Sequence, residues 1–399
     1  MPTPTRLRSG APARLRTAGA LAALSLALAA CAGSEPEDTP QTTAPTPEPT
    51  TPEAAPTTSA PEPTDDAPEG QFGVAAGDPA AVEAGMSVLA AGGNAVDAAI
   101  ATAFAVAVVE PYASGIGGGG SAIVAPGGDG GQAVAYDYRE VVAQDGEIPA
   151  SGIGIPGFVA GMASLHEAHG QAEWAELLEP AITLAAEGYP VSGMLAQRLN
   201  EDVGPSIVAA HDHFASGGRA LAEGDVLVQE ELAQTMRTLA EDGAESFYTG
   251  GLADGLTAVP GIDAGSLAGY EVVSGEPVRG QVGEHEVLAP MPPLPGAPLI
   301  QMFQVAHALD TGAAEPGSVE FIERISRAWE VADESTGSVL GDPAFVDVPV
   351  AELTDPDRAA QVAATVTQVA GPPAGAGEPA GGELTAAGVI AGVADQHFS

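Results

Sequence analysis

Between Asn94 and Val109 the chain runs Asn-Ala-Val-Asp-Ala-Ala-Ile-Ala-Thr-Ala-Phe-Ala-Val-Ala-Val-Val, and nearly every face of a helix made from it is small or apolar. A surface helix keeps a polar side, so a helix like this one is buried on most sides. Its apolar stretch, Ala98 to Val109, is far shorter than the roughly 20 residues a bilayer-spanning helix needs. It must therefore sit inside a domain large enough to wrap it. Gly92-Gly93 stops the preceding segment and Asn94 caps the new helix. That preceding segment opens at Asp78-Pro79 and carries Val82, Met86 and Leu89 at helical spacing up to about Ala91.

Further along, residues 110–120 read as a loop. Ser121–Ala125 and Gln132–Tyr138 form a predicted hairpin across a glycine-rich connection. Helical patterns return at Val159–His169, Trp174–Glu187, Glu230–Asp242 and Val319–Asp333. Strand signal amounts to about two or three strands, thin for one domain over residues 71–370. A sheet so small is expected to share its edges with something else. Residues 371–399 read as a Gly/Pro/Ala-rich connector followed by a short apolar remnant.

The N-terminal residues read as an address rather than as structure. Arg6, Arg8, Arg14 and Arg16 precede an apolar run, Ala18 to Ala30, that ends in Leu28-Ala29-Ala30-Cys31. This resembles a bacterial lipobox, whose cysteine carries the lipid. Residues 1–31 are thus expected to be a lipoprotein signal, with Cys31 as the site of lipidation and of membrane anchoring outside the cytoplasm. An ordinary secretory signal is the other reading. Cys31 is the only cysteine, so no intrachain disulfide can form. Residues 32–70 are Thr, Pro, Ala, Ser and acid, too poor in bulky apolar groups to offset the entropy of ordering, and read as a tether.

The formal charge is −42, and all 12 basic residues are arginines. Nucleic acid is excluded as a partner, because phosphate binding needs clustered Lys and Arg. His166 and His169 are helical neighbours, and His211 and His213 flank Asp212 in a loop. Neither pair has the spacing of a zinc site, and no metal or other cofactor is expected. Gly115, Gly117 and Gly120 formally satisfy Gly-x-Gly-x-x-Gly, yet they follow a helix and precede a strand, the reverse of a dinucleotide site. Close backbone packing is the better reading. Ser114 has no base near it in sequence and is not read as a nucleophile.

Arg139 is the strongest candidate site residue. It ends a predicted strand between Tyr138 and Glu140, and a guanidinium can grip a carboxylate with two parallel hydrogen bonds. A structural pair with Asp137 or Glu140 is the competing reading, and the two are compatible.

Several of these segments, in order, resemble the γ-glutamyltranspeptidase family. They are Gly92-Gly93-Asn94-Ala95-Val96-Asp97-Ala98-Ala99, Glu110-Pro111, Ser114 to Gly120, Asp137-Tyr138-Arg139-Glu140 and Ile155 to Gly161. Trp174 to Leu178, Pro180-Ala181-Ile182, Gly224-Asp225, Phe247 to Gly250, Met291-Pro292-Pro293 and Gly341 to Pro349 continue the series. The likeness is collinear from about Gly73 to Val366 and is that of the family's large subunit. It implies an α/β fold, the N-terminal nucleophile hydrolase αββα sandwich, with only the large-subunit share of its strands. It implies that Arg139 holds the α-carboxylate of a γ-glutamyl group, in glutathione or a similar compound, with no cofactor. In the family a threonine ahead of a His-aromatic-Ser run begins the small subunit and is the nucleophile. Asp395 and Gln396 stand before His397-Phe398-Ser399 here, so Asp395 occupies the aligned nucleophile position without a hydroxyl, and Thr385 lacks the context. Leu294-Pro295-Gly296-Ala297 also replaces the family's Ser-Ser-Gly-Gly.

Three functions are consistent with this pattern. One is a γ-glutamyltransferase or glutathione hydrolase half, inactive alone, that needs a separately encoded small subunit or whose reading frame was cut short. Another is a lipid-anchored protein that binds glutamyl or peptide carboxylates without turnover. The last is an acylase for a different amide.

Overall fold

A computed structural model describes residues 72–127 and 131–369. Helix α1 spans Pro79–Ala90, with Asp78 accepting from the Ala80 N–H at 2.8 Å and Pro79 in the first turn. Helix α2 spans Ala95–Val109. Asn94 Oδ1 accepts from the Val96 and Asp97 N–H groups, and Asp97 Oδ2 accepts in return from the Asn94 N–H. This reciprocal capping box satisfies donors that a helix start leaves open.

Helix α2 is the centre of the main core. Ile100, Ala101, Phe104, Ala105, Val108 and Val109 are fully buried, as the pattern requires. One row stays open: Ala95, Ala99, Ala103 and Val106 line an apolar cleft of about 780 Å³ together with Phe72–Gly77. Helix α3, Phe158–His169, and helix α4, Trp174–Glu187, close over the opposite side. Phe104 meets Phe158 and Trp174 edge-on, at ring centroid separations of 5.2 and 5.7 Å. Such pairs add about 0.5–1.5 kcal/mol beyond area burial. Helix α5, Glu230–Asp242, packs on α4 through Ala233, Met236 and Leu239, and the Trp174 indole N–H donates to the Leu239 carbonyl at 2.9 Å.

Strands β1, Ser121–Val124, and β2, Val134–Asp137, pair antiparallel with Ser121 opposite Asp137 and Val124 opposite Val134. Strand β3, Val273–Gly275, then adds to the other side of β2 with Asp137 opposite Val273. The order is β1-β2-β3. A separate hairpin, β4 (Val278–Val282) and β5 (His285–Ala289), is covered by helix α6, Gly296–Ala308. Helices α7, Val319–Val339, and α8, Pro356–Val369, pack on α6.

Helices and sheets are thus mixed, as expected of an α/β chain, with several departures from the sequence reading, helix α6 among them. The described residues hold nine strand segments rather than two or three, four of them only two residues long and too short to carry a period. Helix α7 runs to Val339, past Asp333, through Ser335-Thr336-Gly337-Ser338. Polar side chains hold that last stretch: Ser335 donates to Gln301 Oε1 at 2.7 Å and Thr336 to the Ala332 carbonyl at 2.9 Å. Among the described residues no helix is long and apolar enough to cross a membrane.

Candidate active site: the Arg139 loop

Strand β2 ends at Asp137, and Tyr138-Arg139-Glu140 leave it as an irregular connection, called here the arginine turn, that runs to an isolated Val141–Ile155 bridge. The glycine loop lies directly on this turn. Gly120 and Tyr138 exchange backbone hydrogen bonds at 3.2 and 2.9 Å, and the Gly118 carbonyl accepts from Gly157 and Phe158 at the start of α3. A Cβ on Gly119 would lie 2.6 Å from the Tyr138 carbonyl oxygen and 2.7 Å from Arg139 Cα. Only glycine allows that approach. The loop follows a helix and precedes a strand; Gly119 fits the close-packing reading, whereas a Cβ on Gly115 or Gly117 would face open space and one on Gly120 would meet the Tyr138 ring.

Arg139 and Asp137 form a fork: Nε donates to Oδ1 at 2.9 Å and Nη2 to Oδ2 at 3.0 Å. The Arg139 backbone N–H also donates to Oδ1, at 3.1 Å. The structural partner anticipated for Arg139 is therefore Asp137, not Glu140. A guanidinium has five donors, and this fork uses one edge. Nη1 donates to no described residue, and the fork leaves the Nη1–Nη2 edge without a second carboxylate, on a side chain that is 32% exposed against 12% for Asp137. A second carboxylate could dock there end-on, in the bidentate geometry that arginine favours.

Two tyrosines hold the turn from behind. The Tyr270 hydroxyl donates to the Arg139 carbonyl at 2.8 Å, and its ring stacks on Tyr248 with centroids 5.8 Å apart and planes at 19°. Tyr248 donates to the Pro156 carbonyl at 3.1 Å and accepts from the Ala160 N–H at 3.0 Å. Burial pushes both phenols above their ordinary range, and pushes Tyr138 up to about 12, so all three stay protonated.

The remaining sequence candidates lie elsewhere. Ser114 is an exposed loop residue whose hydroxyl meets no base among the described residues. His166 pairs with the Ala172 carbonyl and His169 with the Tyr136 hydroxyl, each at 2.8 Å, so both tie α3 to its surroundings. His211 and His213 stand side by side, 5.7 Å between ring centroids. Among the described residues no group of three or more His, Cys, Asp or Glu is placed to hold a metal ion. A cleft of about 860 Å³ runs between α1 and α4 and does not include Arg139. Cys31, Thr385 and Asp395 fall outside the described residues.

The sequence series held Tyr248, within Phe247 to Gly250, without giving it a role, and did not single out Tyr270; each acts through a backbone group remote in sequence. Sequence reasoning also missed that Asp97 reaches beyond its capping box to accept from the Gln171 and Ala172 N–H groups. A fully buried aspartate in a helix of alanines was the available signal.

With this geometry in place, comparison with known proteins is informative. Residues 81–381 match the family model described as Gamma-glutamyltranspeptidase. The chain is 34% identical over 280 residues to the capsule biosynthesis protein CapD proenzyme of Bacillus anthracis, covering 70% of this chain and 52% of that protein. It is 34% identical over 322 residues to a glutathione hydrolase proenzyme of Pseudomonas aeruginosa, covering 74% and 57%. The chain thus spans about half the length of the curated relatives it matches. The structure of Helicobacter pylori γ-glutamyltranspeptidase superimposes with a TM-score of 0.67 at 30% identity, over 78% of this chain and 98% of that one. Bacillus anthracis CapD superimposes with a TM-score of 0.63 at 32% identity, over 74% and 99%. The fold is that of the N-terminal nucleophile hydrolases, and the chain belongs to the γ-glutamyltranspeptidase family.

Proposed function

We propose that this chain supplies the carboxylate-gripping part of a site that transfers or hydrolyses γ-glutamyl amides, with Arg139 holding the α-carboxylate of the γ-glutamyl group. The observation that carries this reading is the half-used guanidinium: Asp137 fixes one edge and the Nη1–Nη2 edge remains open on an accessible side chain. The Asp137 carboxylate cancels much of the Arg139 charge, so recognition depends on donor geometry more than on net attraction. Substrates of this class are glutathione and other γ-glutamyl compounds, in keeping with relatives named glutathione hydrolase.

Arg139 itself forms no bond to the acyl group. Its work is to orient the ligand so that the γ-amide carbon meets a nucleophile in a fixed place. In the chemistry that the family resemblance implies, a threonine hydroxyl, deprotonated by its own α-amine, attacks that carbon and expels the amine. Backbone N–H donors stabilise the oxyanion, and water or an amino acid then takes the acyl group. Asp395 has neither hydroxyl nor thiol to carry an acyl group in this way. The chain alone is therefore inactive in this proposal, and a separately supplied small subunit beginning with threonine completes the site. We further propose that Cys31 carries a lipid that holds the protein on the outer side of the cell membrane.

The test is release of p-nitroaniline from γ-glutamyl-p-nitroanilide. No release by the purified chain, and release once a threonine-led small subunit is added, is the outcome expected. Turnover by the chain alone would overturn the proposal. Binding of γ-glutamyl ligands with no turnover under any pairing would favour the second reading, a lipid-anchored binding protein for glutamyl or peptide carboxylates.

A further inference from the structure

We propose that Tyr270 is a positioning residue for Arg139, setting the height and direction from which the open guanidinium edge meets a carboxylate. This rests on the reading that Arg139 holds the ligand α-carboxylate.

The Asp137 fork orients the guanidinium only relative to Asp137, two residues away on the same turn. Backbone bonds of Tyr138 to Gly120 and of Val141 to Ile155 place the flanking residues, and the Arg139–Glu140 peptide between them needs an anchor of its own. The Arg139 carbonyl has a single partner among the described residues, the Tyr270 hydroxyl at 2.8 Å, delivered from 131 positions away. Without it a part-buried carbonyl would be left unpaired, and the Arg139–Glu140 peptide would be held only through its neighbours Tyr138 and Val141. Tyr270 is in turn wedged. A Cβ on Gly157 would sit 2.0 Å from the Tyr270 hydroxyl oxygen and 2.1 Å from the Tyr138 carbonyl oxygen. The Gly157 N–H is tied to Gly118 at 2.9 Å, which closes the circuit back to the glycine loop. On the other side, the stack on Tyr248 fixes the plane of the Tyr270 ring, and Tyr248 is anchored to Pro156 and Ala160. The hydroxyl is therefore a strut between the start of α3 and the arginine turn. It donates its proton throughout the working pH range, since burial holds the phenol above its ordinary value.

The experiment compares two ligands by calorimetry on the full chain: γ-L-glutamyl methylamide, and the same compound with its α-carboxylate converted to a carboxamide. Tyr270→Phe keeps the ring stack and deletes the donor. It should weaken the carboxylate ligand by about threefold to tenfold, the loss of one hydrogen bond's worth of placement. Affinity for the carboxamide should stay within about twofold. In an Arg139→Lys background the same change should add nothing, because the group being positioned is gone. Tyr248→Phe, which leaves the bond to the Arg139 carbonyl intact, should lower the melting temperature without altering the preference for carboxylate over carboxamide. Equal weakening of both ligands, an additive loss in the Arg139→Lys background, or the same loss of preference in Tyr248→Phe would each overturn the proposal in favour of a merely structural tyrosine. Unchanged affinity in Tyr270→Phe would overturn it too. Failure of the wild-type chain to bind the carboxylate ligand is a different result: it removes the site and the proposed function with it.

Discussion

Helices α2 and α7 treat their large side chains in opposite ways. In α2, Phe104 and Ile100 are fully buried and only an alanine-rich row remains open. In α7 the buried residues are Ala328 and Ala332, while Trp329 is 50% exposed, Ile322 49% and Val319 83%. Helix α6 combines both patterns, with Ile300 and Val305 fully buried and Leu299 and Phe303 each 39% exposed. The first region gathers the largest cluster of buried residues around a helix that cannot face water. The second divides its buried residues between two small clusters, one around Ile300 and Leu353 and one around Val305 and Ala328. Apolar faces left open in this way are candidate interaction surfaces. A small subunit packed over α6 and α7, as the proposed function requires, would cover them. Burial is thus concentrated in the first region and open apolar surface in the second.

Mutations can break or sharpen that contrast. Phe104→Ala should cost about 3–5 kcal/mol in urea unfolding, since it empties the junction between α2, α3 and α4; a cost below about 1 kcal/mol would deny α2 its central place. Asp97→Ala should cost about 3 kcal/mol by the same measurement. Asp97 is fully buried, and its removal strands the N–H groups of Asn94, Gln171 and Ala172. Trp329→Ala, by contrast, should leave unfolding of the chain alone within about 0.5 kcal/mol. It should instead weaken capture of a small subunit in a pull-down titration, and a large loss of intrinsic stability would mean α7 is already packed.

The smallest effect concerns Glu110, at the end of α2. Burial, and then the Asp78 carboxylate, raise its carboxyl above the ordinary value. A raised native value means that the folded chain binds this proton more tightly than the unfolded chain does. The associated stability is fully present below the ordinary carboxylate range and is lost as pH rises through the native value. Glu110→Gln should therefore unfold at slightly higher urea than wild type near neutral pH, with the difference fading towards pH 4. A variant less stable than wild type at neutral pH would contradict the assignment.

Much of this architecture was legible because it is local. The Asp78 and Asn94 caps, the apolar period of α2 and the helical repeats at 158–169, 174–187 and 230–242 are read from neighbouring residues. Arg139 was legible because a lone cation between an aromatic and an acid stands out in so acidic a chain. What was hidden is non-local. Strand β3 joins β2 from beyond residue 270, the two-residue strands have no period, and Tyr270 declares itself only through a backbone carbonyl far away in sequence. Helix α6 was also missed. It opens at Gly296-Ala297-Pro298, where proline fits a first turn but reads in sequence as a breaker.

The central claim is that the open edge of Arg139 grips the α-carboxylate of a γ-glutamyl ligand. Calorimetric titration of the purified chain with γ-L-glutamyl methylamide, in wild type and in Arg139→Ala, tests it most directly. The account predicts saturable one-to-one binding that the substitution abolishes; equal binding in both proteins would return Arg139 to a purely structural partner of Asp137.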